Sequence, residues 1–84
     1  MKTRSKPYGN ANIIGRRVES LRISAGVKQA DFIAKLQSSG LDINPTSYSK
    51  LEGQLRQAND VEIYYIARAL GVEISELFSE FDPE

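Results

Sequence analysis

The chain contains no cysteine and no histidine among its 84 residues. The first absence rules out a disulfide framework, a dithiol redox motif and a thiolate metal site. The second removes the usual zinc and iron sites and histidine-based acid–base catalysis. Long hydrophobic runs are missing too, since no stretch approaches the ~18 apolar residues that a membrane span requires. Lys2, Arg4 and Lys6 look like the basic start of a signal peptide, but no apolar core follows them. A cytosolic protein is the simplest expectation. A chain of this length makes one small domain that buries only ~60–65% of its unfolded surface, so a small core is expected. Serines, lysines and carboxylates are scattered without a constellation that defines a reaction, so no enzyme and no cofactor are expected. Ser47-Tyr48-Ser49-Lys50 fits the Ser-x-x-Lys pattern of penicillin-binding enzymes. The companion motifs of that class are absent, and the match is dismissed.

Net charge is zero, but it is unevenly spread. Residues 1–58 hold ten Lys/Arg against four Asp/Glu, whereas residues 59–84 hold Arg68 alone against seven acids. That polarity suits a basic working face backed by an acidic end. The blander reading is an acidic tail that merely solvates the chain terminus.

Residues 1–11 are polar, interrupted by Pro7 and Gly9, and predict a flexible basic arm. Asn12 is a candidate cap for a first helix whose apolar face is Ile14, Val18, Leu21 and Ala25, with Gly26 as its stop. A second helix begins near Lys28 and buries Phe32 and Leu36, ending within 37–40. Asn44-Pro45 is a strong start signal for a third, a cap followed by proline at the first helical position. Its inward residues are Tyr48, Leu51 and Leu55, and its outward residues Thr46, Ser47, Ser49 and Lys50. Asp60 caps a fourth helix with the face Ile63, Ile66, Ala67 and Leu70, closed by Gly71. A short fifth helix runs to about Phe78, with Leu77 and Phe78 packed back, and 81–84 form an acidic tail. The class is all-α.

Two short helices in succession, the second with small hydroxyl residues and a lysine outside, suit a DNA major groove. Thr46, Ser47 and Ser49 are short enough to let the helix approach base edges, and Lys50 can reach guanine O6/N7 or a phosphate. The bland alternative is an ordinary solvated face. Tyr48 belongs in the core. Tyr64 and Tyr65 are adjacent and cannot both face inward, which leaves at least one on the surface as a candidate dimer contact.

In order along the chain, several pieces resemble the phage-repressor, Xre/Cro-like helix-turn-helix family of transcriptional regulators. Ile14-Gly15-Arg16-Arg17-Val18 with Leu21-Arg22 and Gly26 is similar to its first helix and turn. Gln29 falls on its glutamine at the start of helix two, and Ser49-Lys50-Leu51-Glu52 resembles its Ser-x-Ile-Glu signature. Asp60 to Ile63 and Ala67 to Val72 resemble its fourth helix. The link from Gln37 to Ile43 is longer than the family's tight turn and fits a long-turn variant. Pro45 stands where a Gln or Arg often reads bases, Ile33 where alanine is usual, and Gly53-Gln54 where Asn-Gly is usual.

The resemblance implies a compact five-helix lambda-repressor-like DNA-binding domain over residues 12–80. It implies a repressor that binds a palindromic double-stranded DNA operator as a homodimer. Gln29 and Lys28 would hold phosphate from helix two, with Arg56, Gln57 and Asn59 doing so from the following loop. Arg22 would pair with Glu52 to fix helix three while keeping its guanidinium near phosphate. Phe78 and Phe81 would form the dimer contact. The rival reading is a protein-interaction module, such as an antitoxin, whose acidic C-terminal end binds a basic partner.

Overall fold

A computed structural model describes residues 8–79 of the protein. Four α-helices run in order: α1 (Gly15–Ser24), α2 (Gln29–Ser39), α3 (Pro45–Glu52) and α4 (Asp60–Leu70). A 3-10 helix, Ile74–Phe78, follows them. The domain is all-helical and compact, with no strand among the described residues. The expected fifth α-helix is thus a 3-10 turn. Five residues without a side-chain cap are too few to sustain α-helical pairing, and Glu76 and Ser79 instead donate to carbonyls three residues back.

α1 begins later than its cap residue suggests. Ile14 occupies the cap position, yet the Asn12 side chain accepts from the N–H groups of Ile14 (3.1 Å) and Gly15 (2.8 Å). Its amide donates to the carbonyls of Leu51 and Arg56, each at 2.9 Å. Asn12 therefore caps α1 and ties it to the end of α3 at once. α1 ends in a Schellman motif: Gly26 donates to Ile23 O and Val27 to Arg22 O, with Gly26 at φ 74°.

α2 closes in the same way at Gly40, whose φ of 116° is open to glycine at little cost. The longer link to α3 is anchored at both ends. Leu41 and Ile43 are buried, and the Gln37 amide donates to Ile43 O at 2.8 Å. Ile33, in place of a small residue, is buried against the same core.

The core joins Ile14 at the cap of α1 and Val18 within it, Phe32 and Leu36 of α2, Tyr48 and Leu51 of α3, Ile66 of α4, and Leu77. Leu55 is not part of it. α3 stops at Glu52, and Gln54 adopts a left-handed φ of 61° that turns the chain, leaving Leu55 61% exposed. Ala25 is likewise exposed, beyond the last buried turn of α1. Asn59, rather than Asp60, caps α4, in a capping box with Glu62.

Residues 1–7 lie outside the described residues, as do Glu80 to Glu84, so the basic arm and the acidic tail are not described. Residues 8–11 are pinned to the body. Gly9 and Ala11 donate to the carbonyls of Gly53 and Gln54 (2.9 Å each), the Tyr8 hydroxyl donates to Glu19, and Arg16 stacks on the Tyr8 ring.

Helices α1 and α3 touch backbone to backbone at Gly15. A Cβ there would stand 2.4 Å from Leu51 O and 2.7 Å from Glu52 O. Gly15→Ala is therefore expected to lower stability by about 1–3 kcal/mol in urea unfolding, despite alanine's better helix propensity. Unchanged or increased stability would show that α3 can retreat freely.

Candidate nucleic-acid interface

α3 is mounted on the domain by its inner face. Asn44 caps it by accepting from Ser47 N–H at 2.7 Å, and Pro45 takes the first helical position. Tyr48, Leu51 and Glu52 are fully buried beneath it. A buried carboxylate must be both paired and hydrogen-bonded, and Glu52 is. Arg22 of α1 grips it bidentately, Nε to Oε2 at 2.7 Å and Nη2 to Oε1 at 3.0 Å. Gln29 of α2 donates to Oε1 at 3.1 Å, and the Tyr48 hydroxyl to Oε2 at 2.6 Å. The hydrogen bond to Glu52 holds the Arg22 guanidinium above its ordinary pKa even though burial opposes it. Burial, and then the Glu52 charge, push the Tyr48 hydroxyl well above the tyrosine range. It stays protonated and donating.

A second clamp holds the far side. Arg56 donates from Nε to Ser47 O (2.9 Å), from Nη1 to Gln57 O (2.8 Å), and from both terminal nitrogens to the Glu62 carboxylate (2.9 Å each). Glu62 also accepts from Asn59 N–H, closing the capping box. Burial raises the Glu62 pKa, but the bonds from Arg56 and Asn59 together outweigh it and hold the carboxyl low. The start of α4 is thereby tied to the middle of α3.

These clamps decide where the expected site residues stand. Thr46, Ser49 and Lys50 are exposed on the outer face of α3 with Pro45. Ser47 is half-buried on its flank, its backbone engaged at both N–H and carbonyl. Lys28 is exposed at the start of α2, and Gln29 is half-buried with one amide hydrogen given to Glu52. Two expected phosphate ligands are held mainly by protein groups. The Arg22 side chain is 9% exposed and spends three donors on Glu52 and Val27 O. Arg56 gives four of its N–H groups to protein acceptors, and its side chain is 24% exposed. Both serve the scaffold first, which leaves little of either guanidinium for a phosphate. Asn59 uses its side-chain oxygen as the α4 cap, while Gln57 remains exposed.

Most other cations are also engaged. Arg17 pairs with Glu76, Lys35 donates to Ala69 O, and Arg16 and Arg68 stack on tyrosines. Lys28 and Lys50 stand without a partner among the described residues. α2 starts without a side-chain cap, so the N–H groups of Gln29, Ala30 and Asp31 also lack partners among the described residues. Phe78 is 37% exposed and lines a shallow apolar groove of about 290 Å³ with Ala11, Ile13 and Ile63. Phe81 lies outside the described residues.

Sequence reasoning missed three structural residues: Asn12 as a two-way brace, Gln54 donating to Asn12 O, and Glu62 as the anchor of Arg56. Of these, the spacing Asn59-x-x-Glu62 is a capping-box signal that could have been read. Among the described residues no helix is long and apolar enough to cross a membrane, and no group of three or more metal-ligating side chains is assembled. Comparison of the chain with models of known families, with curated proteins and with solved structures finds no match.

Removing one member of the buried pair leaves an uncompensated charge. Glu52→Ala is expected to cost about 3–5 kcal/mol in denaturant unfolding, and the double variant Arg22→Met/Glu52→Leu far less. Equal losses in both would show that the pair is not acting as one unit.

Glu62 sets part of the acid limb. Its folded pKa lies below its ordinary value of 4.5, so its stabilisation is complete above that value and fades as pH falls through the folded pKa. Glu62→Gln should flatten the loss of stability between about pH 5 and pH 3, and Arg56→Met should do the same. A slope identical to that of the native chain in both variants would rule the clamp out as its source.

Proposed function

We propose that this chain is a sequence-specific double-stranded DNA-binding regulator of the phage-repressor helix-turn-helix type. In this reading it acts as a repressor, two copies occupying a palindromic operator. The observation that carries the reading is the outer face of α3. The side chains of Thr46, Ser49 and Lys50 are exposed and have no partner among the described residues, on a helix whose inner face is fixed by a buried, fully satisfied carboxylate. Short hydroxyl side chains permit close approach to base edges, and a lysine one turn on reaches guanine or phosphate.

Beside that face, Lys28 and the uncapped N–H groups of α2 offer a phosphate contact with a favourable dipole. Asp31 in the same turn works against it. Gln29 retains a second amide hydrogen for phosphate while bracing Glu52 with the first. Gln57, and Lys2, Arg4 and Lys6 of the arm, extend the same role. With Arg22 and Arg56 engaged in the scaffold, Lys28, Lys50 and the basic residues Lys2, Arg4 and Lys6 carry most of the phosphate neutralisation, and the glutamines add neutral hydrogen bonds. The protein-interaction alternative has less to stand on. Of the acidic C-terminal residues described, Glu76 is already engaged by Arg17.

On this reading α3 reads and α2 holds. Thr46→Ala or Lys50→Ala should relax preference at particular base positions, at a cost of ~1–3 kcal/mol on the operator and much less on random DNA. Gln29→Ala should weaken both equally. Selection of bound sequences from a random DNA pool supplies the operator, with half-sites about 34 Å or multiples of that apart. Failure to enrich any sequence would end the DNA reading. Equal loss on operator and random DNA for Lys50→Ala would make that lysine a phosphate clamp.

A further inference from the structure

α4 carries a second face that no described residue covers. Asp60, Tyr64 and Arg68 follow each other at four-residue spacing, with Val61 beside them, and all are exposed. Val61 and Tyr64 are 53% and 49% exposed, large apolar surfaces for a helix of this length. The aromatic centre is already ordered. Tyr64 meets Tyr65 edge to face with centroids 5.6 Å apart, and the Arg68 guanidinium lies 5.5 Å over the Tyr64 ring. Tyr65 in turn rests on the end of α2, its hydroxyl 3.3 Å from where a Cβ at Gly40 would stand. Ordering these rings on contact therefore costs little. Neither Asp60 nor Arg68 forms an ion pair with a described residue.

We infer that two copies of this chain pair through α4, antiparallel, about a two-fold axis at Tyr64. Residues four apart form a ridge on a helix surface, and laying two such ridges side by side is the commonest way for helices to pack. In the antiparallel sense, the residue four before Tyr64 lies beside the residue four after it on the other copy. Asp60 of each copy then meets Arg68 of the other, and the two tyrosines meet at the centre. A parallel arrangement would set like charges opposite each other. Such self-complementarity is what a two-fold interface demands. The groove at Phe78 has no comparable charge pattern, as its lining residues are uncharged. The inference moves the copy-to-copy contact from Phe78 and Phe81 to α4. A single pair of short helices buries less than the ~1,200 Å² of a stable interface, so the association is weak alone and strengthened when one DNA holds both copies.

The inference rests only on the two-copy part of the proposed function and is tested without DNA, so either can fail alone. Sedimentation equilibrium of the full chain should give a reversible monomer–dimer equilibrium. Asp60→Lys and Arg68→Glu each place two like-charge contacts in the pair, and each alone should lose roughly tenfold or more in dimer affinity. An equimolar mixture of the two should regain it, because both contacts become attractive in the mixed dimer. Both changes oppose the helix dipole, so circular dichroism of each variant is recorded alongside. Tyr64→Ala, at an exposed site, removes the centre of the contact without that complication and should also abolish pairing. A chain that stays monomeric at all concentrations, a dimer indifferent to Tyr64→Ala, or folded variants whose mixture pairs no better than its parts would each overturn the inference.

Discussion

The arrangement of the domain depends on one buried carboxylate. Glu52 has no solvent exposure, so its charge is tolerable only while donors from three helices converge on it. That requirement fixes α1, α2 and α3 to one another more narrowly than apolar packing would, since a shift in any of them strands the charge. α3 has only eight residues and would not persist as an isolated helix. Its existence and its direction both come from this anchor and from Tyr48 and Leu51 beside it. The outer residues are thereby relieved of any structural task.

The scaffold consumes cations. Arg22 and Arg56 look from their positions like phosphate ligands, but each is committed to a carboxylate and to backbone carbonyls. The basic half of the chain is consequently less electropositive at its surface than its composition suggests. Among the described residues, much of what remains lies in Lys28 and Lys50. A reader built this way would gain affinity from few phosphate contacts, and would depend more on the fit of α3 in the groove.

The order of the four α-helices was legible because each has strong punctuation, Asn44-Pro45 before α3 and glycines after α1, α2 and α4, whereas the expected fifth helix is only a 3-10 turn. The buried faces of α2 and α4 followed from their periodicity. What escaped reading depends on contacts distant in sequence. Whether Asp60 or its neighbour Asn59 caps α4 turns on the fit of Glu62, itself gripped by Arg56. The outward turn of Leu55 follows from the left-handed Gln54, a conformation that composition does not announce. The grip of Glu62 on Arg56 is not legible, because periodicity shows which face a residue occupies and says nothing of a carboxylate across the interface, whereas the pairing of Arg22 with Glu52 is among the expectations from the resemblance. The outward face of α3 was legible, since exposed residues are defined by the absence of such partners.

The two helix starts show how recognition would be divided. At α3, Asn44 takes the Ser47 N–H and Pro45 has none to offer, which leaves the Thr46 N–H without a partner among the described residues. At α2, Lys28 supplies no cap, and three N–H groups stay open beside its ammonium. An anion would therefore find its backbone cradle at α2, and the start of α3 would present side chains in place of main-chain donors. The link between them could be long without loosening this division, because Leu41 and Ile43 are buried and Gln37 holds the Ile43 carbonyl. Length in that turn adds chain but little freedom. The angle between the two helices is set by the core and by Gln29 on Glu52, and the loop only has to span it.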